Sequence, residues 1–149
     1  YMVLPQHLLK KYQDTCGFYS TTVSKIQQEV LCEFISGGYF GRHLNKMRAI
    51  YKSRHDFLVS ELKKRSWVEK IAGDNAGLHV LVQVDTVISE PELCELAKEQ
   101  GIHLIGISEY YIHKPPLEKP VILLGYGKPD EKKISEGLDR LEQIIMVSR

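Results

Sequence analysis

Apolar residues change their spacing partway along this chain, and that change limits the fold class more than any other feature. In the first half they recur every three or four positions: Val23, Ile26, Val30 and Phe34, then Leu44, Met47, Tyr51, Leu58 and Leu62. That spacing gathers them on one side of a helix. Further on, Leu78, Val80, Val82 and Val84 alternate with His79, Leu81 and Gln83, which is the two-residue period of a strand. Helices followed by strands with interleaved helices imply an α+β layer, a short sheet covered by helices on one face and preceded by long helices.

Taken in order, Pro5 to Gln13 reads as a short helix. Ser20, Thr21 and Thr22 offer hydroxyls to cap the next helix, Ser24 stands with them ahead of it, and Gly37-Gly38 stops it. A long helix runs from Gly41 to about Lys64. Its outer face carries Arg42, Lys46, Arg48, Lys52 and Arg54 and reads as a solvated surface. Ser66 to Asn75 is a connector holding the single tryptophan, Trp67. After the Leu78–Val84 strand, Ser89 and Glu92 have the spacing of a capping box, and Gly101 closes that helix. Ile102–Ile107 and Val121–Leu124 read as further strands, the latter apolar throughout and so central. Pro129-Asp130-Glu131 opens the last helix, where Ile134, Leu138, Leu141 and Ile145 form one stripe.

Several function classes drop out. A net charge of +1 gives no field toward nucleic acid or membrane, and no apolar run approaches the ~18 residues that would span a bilayer. Cys16, Cys32 and Cys94 are scattered and show neither a disulfide framework nor metal-ligand spacing, which fits a reducing cytoplasm. Gly125-Tyr126-Gly127-Lys128 has the glycines of a phosphate loop but lacks its spacing and reads as a turn out of a strand.

The wording of the chain carries a family resemblance. Phe34-Ile35, Gly37-Gly38-Tyr39-Phe40, Arg42-His43, Met47-Arg48, Tyr51 and Arg54, followed by Ala76-Gly77-Leu78-His79 and Leu123-Leu124-Gly125-Tyr126, resemble MocR-type regulators of the GntR superfamily. Those proteins join a winged-helix DNA-binding domain to a fold-type I aminotransferase-like domain that binds pyridoxal 5'-phosphate. The resemblance implies that this chain is the last part of such a domain. Residues 1–40 would be a remnant of the large domain with subunit-interface helices, 41–75 a connecting helix and linker, and 76–149 the small α+β domain. The cofactor lysine would lie upstream of Tyr1, so this stretch alone would hold no covalently bound cofactor.

The resemblance also implies site residues. Ser20, Thr21 and Thr22 would approach the cofactor phosphate of a partner subunit, with simple capping as the plainer reading. His79 would face the effector, against the alternative of an interior histidine bonded to backbone. Aminotransferases grip a substrate carboxylate with an arginine from this domain, yet no arginine lies between Arg65 and Arg140. Lys119 takes the matching place and supplies charge without the guanidinium fork. Catalytic and metal residues are not expected in this stretch.

The expected protein is therefore a cytoplasmic homodimer that senses a small effector: an amino acid, an amine or pyridoxal phosphate itself. It would touch DNA only through an N-terminal domain outside this stretch, and it would not contact a membrane. Two alternatives stand beside it: the C-terminal part of a class I/II aminotransferase enzyme, and a free-standing α+β interaction module.

Overall fold

Strict alternation in residues 79–84 sorts the strand into two faces. Val80, Val82 and Val84 are fully buried, whereas His79 is exposed and Leu81 and Gln83 are half-buried. This strand, β2 (His79–Val84), belongs to a computed structural model that describes residues 2–20, 23–73, 77–113 and 118–147. The chain divides into two compact units, Tyr1–Asn45 and Lys46–Arg149.

In the second unit, β1 (Val68–Ala72), β2, β3 (Ile105–Gly106) and β4 (Val121–Gly125) form one four-stranded antiparallel sheet in the order β1-β2-β4-β3. Helix α3 (Tyr39–Leu62) brings Leu58, Val59 and Leu62 to its covered face. Helix α4 (Glu90–Glu99) adds Leu93 and Ala97, and α5 (Glu131–Val147) adds Ile134, Leu138, Leu141 and Ile145. Trp67 and Ile122 complete the core. Each fully buried Val, Leu or Ile contributes about 1.5–3 kcal/mol relative to exposure. The open face is continuous and largely apolar. Ala72, Leu81, Leu123 and Ile105 are direct cross-strand neighbours along it.

Helix α5 starts as its sequence suggests: Lys133 N–H donates to Asp130 Oδ1 at 2.9 Å. Elsewhere the structure departs from expectation. The supposed connector contains β1, hidden in the sequence because a bulge between Val68 and Lys70 breaks its alternation. The strand expected at 102–107 is reduced to Ile105–Gly106, since the chain turns at once into a 3-10 helix, Ile107–Tyr110. Ser89 stands at the N-cap of α4 without a side-chain bond, so the Ser89–Glu92 capping box does not form.

The first unit holds α1 (Gln6–Cys16), α2 (Lys25–Ser36) and the start of α3. Among the hydroxyls ahead of α2, the cap is Ser24. Ser24 Oγ accepts from Gln27 N–H, and Gln27 Oε1 accepts from Ser24 N–H, each at 3.3 Å. Between α2 and α3 the chain passes through Gly38 at φ +74°, a left-handed conformation that a side chain would strain. Phe34 stacks on Tyr39 with centroids 6.2 Å apart, and Arg42 lies over the Tyr39 ring. Neither α1 nor α2 has a buried residue, and Ile26, Val30, Leu31 and Ile35 are each more than half exposed.

Candidate functional site

The β2–β4 pair positions the exposed end of the sheet. His79 is directly opposite Gly125, and a β-carbon on Gly125 would come within 3.2 Å of the His79 ring, so the imidazole rests on bare backbone. Tyr126 anchors the entry to β2. Its hydroxyl donates to Gly77 C=O at 2.6 Å and its N–H to Leu78 C=O at 3.0 Å. Burial of Tyr126 raises its phenol pKa by disfavouring the phenolate.

Helix α3 supports this corner from the covered side. Arg54 Nη1 donates to Gly127 C=O at 2.5 Å, which ties the turn after β4 to the helix. His55 meets the Tyr126 ring edge-on, centroids 5.5 Å apart, while its Nδ1 lies 3.0 Å from Asp56 Oδ1. Arg54, which belongs to the basic face that reads as solvated, and its neighbour His55 are thus partly buried supports of the His79 corner. Helical spacing alone could not separate them from the solvated lysines beside them. In the sequence Tyr126 stood out only as a member of Leu123-Leu124-Gly125-Tyr126 and of the Gly125-Tyr126-Gly127-Lys128 turn.

Lys119 is at the other end of the strand pair. Its Nζ holds Asp85 Oδ1 at 2.8 Å and Glu69 Oε1 at 3.0 Å. The hydrogen bond to Asp85, then that to Glu69, raises its pKa. Val121 pairs with Gln83 and Gly125 with His79. At about 3.3 Å per residue the two ends are on the order of 13 Å apart. The structure therefore does not bring His79 and Lys119 into one small site.

Ser20 is exposed between α1 and α2. Thr21 and Thr22 lie outside the described residues. The Ser24–Gln27 box satisfies two donors at the α2 N-terminus internally, leaving other first-turn amides to water or an anion. Lys10, Lys11 and Lys25 stand exposed on α1 and α2. An exposed amine lacks the burial that tunes a carbonyl-binding lysine, so these residues do not fit the aldehyde end of a pyridoxal cofactor. Among the described residues, no group of three or more His, Cys, Asp or Glu side chains is placed to hold a metal ion, and no helix is long and apolar enough to cross a membrane.

Comparison with known proteins adds to this geometry. A family model described as aminotransferase class I and II matches residues 1–138. The chain is 34% identical over 143 residues to the uncharacterized HTH-type transcriptional regulator YdeL of Bacillus subtilis strain 168, covering 95% of this chain and 30% of that protein. It is 28% identical to the probable rhizopine catabolism regulatory protein MocR of Rhizobium meliloti, covering 98% of this chain and 29% of that one. The fold is similar to that of the multiple substrate aminotransferase of Thermococcus profundus, with a TM-score of 0.79 at 22% identity, over 96% of this chain and 35% of that one. The chain thus spans about a third or less of the length of each.

Proposed function

The chain belongs to the aminotransferase class I and II family, and from that premise we propose that it is the C-terminal part of the effector-sensing domain of a MocR-type, GntR-superfamily transcriptional regulator. The observation that carries this reading is the 34% identity to an HTH-type regulator along 95% of the chain. The enzyme alternative draws on aminotransferases at 22% identity, a likeness that speaks for the fold.

In this reading the whole protein is a cytoplasmic homodimer. It uses pyridoxal 5'-phosphate bound through a lysine elsewhere in its sequence, and it contacts DNA through a separate N-terminal domain. When bound, that cofactor supplies an aldehyde that condenses with primary amines. The present residues supply surroundings. Ser20, Thr21 and Thr22 lead into the α2 N-terminus and serve the phosphate of the partner subunit's cofactor. His79 is the effector contact, because it is exposed and its ring is fixed over Gly125. Lys119 has the lesser part, since it would have to exchange Glu69 or Asp85 for an effector carboxylate.

The test is made on the longer protein. Anisotropy of labelled DNA from upstream of its own gene is measured with and without pyridoxal phosphate, amines and amino acids. Effector-dependent DNA affinity, lost in His79→Ala with cofactor absorbance intact, supports the proposal. Turnover of amino acids at enzymatic rates without DNA binding would falsify it in favour of the enzyme.

A further inference from the structure

Glu90 is the buried charged residue among the described residues, 8% exposed, and the site outlined above does not use it. Its carboxylate faces backbone donors. Oε1 accepts from Ser108 N–H at 2.9 Å and Oε2 from Val121 N–H at 3.2 Å. These donors belong to segments that have just parted: β3 pairs with β4 at Ile105–Leu123 and Gly106–Ile122, and then the chain leaves the ladder for the 3-10 helix. Where the next ladder bond would form, two partly buried N–H groups are left without a ladder acceptor. The carboxylate supplies both missing acceptors. Gly106 makes room for it: a β-carbon there would lie 2.2 Å from Glu90 Oε1.

We propose that Glu90 is a positioning residue that stands in for the missing ladder carbonyls and latches the 3-10 helix to the start of β4. The latch has a second consequence through three consecutive residues. Val121 N–H is held by Glu90, Pro120 C=O accepts from Val84 N–H at 2.9 Å, and Lys119 Nζ holds Asp85 and Glu69. Glu90 therefore sets where the Lys119 ammonium sits, although it does not touch it.

The experiment uses the whole 149-residue chain and needs no effector, so it stands or falls apart from the regulator reading. Hydrogen exchange of peptides covering Ser108 and Val121, and the acylation rate of Lys119 by an N-hydroxysuccinimide ester, are compared for wild type, Glu90→Gln and Gly106→Ala. Glu90→Gln keeps the shape but puts a donor against one N–H, and Gly106→Ala displaces an intact carboxylate. Both variants should speed exchange at these amides by tenfold or more and Lys119 acylation severalfold. Protection across Leu138–Ile145 should stay at the wild-type level, which shows that the fold persists. Unchanged amide exchange in both variants overturns the latch. Faster exchange with unchanged Lys119 acylation overturns its reach to Lys119. A variant that loses protection at Leu138–Ile145 as well makes Glu90 a general stabilising residue and overturns the positioning role.

Discussion

Tyr126 joins two roles in one side chain: it fills the core and holds Gly77, two residues before His79. Tyr126→Phe should cost about 0.5–1.5 kcal/mol, the net worth of one hydrogen bond. Its pH signature is distinctive. The folded phenol has its pKa raised above the unfolded value of about 10, so its stabilisation is fully present below that pH and is lost as pH rises through the folded value. Lys119, also raised, loses its contribution in the same direction. Urea unfolding between neutral and strongly alkaline pH should show falling stability in wild type and a shallower fall in Tyr126→Phe. An identical slope in the two proteins would mean that burial of the phenol does not govern the alkaline limb.

Among the elements, α5 was the most legible. Ile134, Leu138, Leu141 and Ile145 repeat at helical spacing, and Asp130 precedes them with its capping oxygen. Leu138→Ala or Leu141→Ala should each cost about 2–5 kcal/mol in chemical denaturation, because each opens a cavity between helix and sheet. Gly137, one residue before, should behave oppositely: a β-carbon there meets nothing within 4 Å. Gly137→Ala should stabilise by roughly 0.5–1 kcal/mol, and a lower melting temperature would contradict this. The illegible elements failed for physical reasons. The β1 bulge erased its period, and β3, read as a strand over Ile102–Ile107, keeps only Ile105–Gly106 because the 3-10 helix begins at Ile107. Of the hydroxyls ahead of α2, Ser24 alone has a glutamine three residues later, and it makes the reciprocal pair. At the candidate site, sequence spacing could place His79 on a strand face but could not reveal Tyr126 behind it or the carboxylates that occupy Lys119.

At the scale of the molecule, stability should be uneven. The Lys46–Arg149 unit contains every buried residue among those described, while α1 and α2 contain none. Local opening follows buried apolar contact. Hydrogen exchange should therefore be fast across Val23–Phe34 and slow across Val121–Leu124. Equal protection of the two would show that the first unit is held as firmly as the second. The exposed Ile26, Val30, Leu31 and Ile35 should also make the isolated chain self-associate in sedimentation, since patches of this kind mark interfaces. A monomer at high concentration would count against that.

The sheet's two edges decide what form such assemblies take. One edge, β1, is kinked by its bulge and carries Lys70; the other, β3, offers only Ile105 and Gly106. Neither presents a straight row of free amides on which a neighbour's strand could template itself. Clusters of this chain should accordingly be helix-mediated and reversible on dilution. They should leave thioflavin dark and show no cross-β diffraction, so that even concentrated solutions coarsen into droplets or amorphous precipitate rather than fibres.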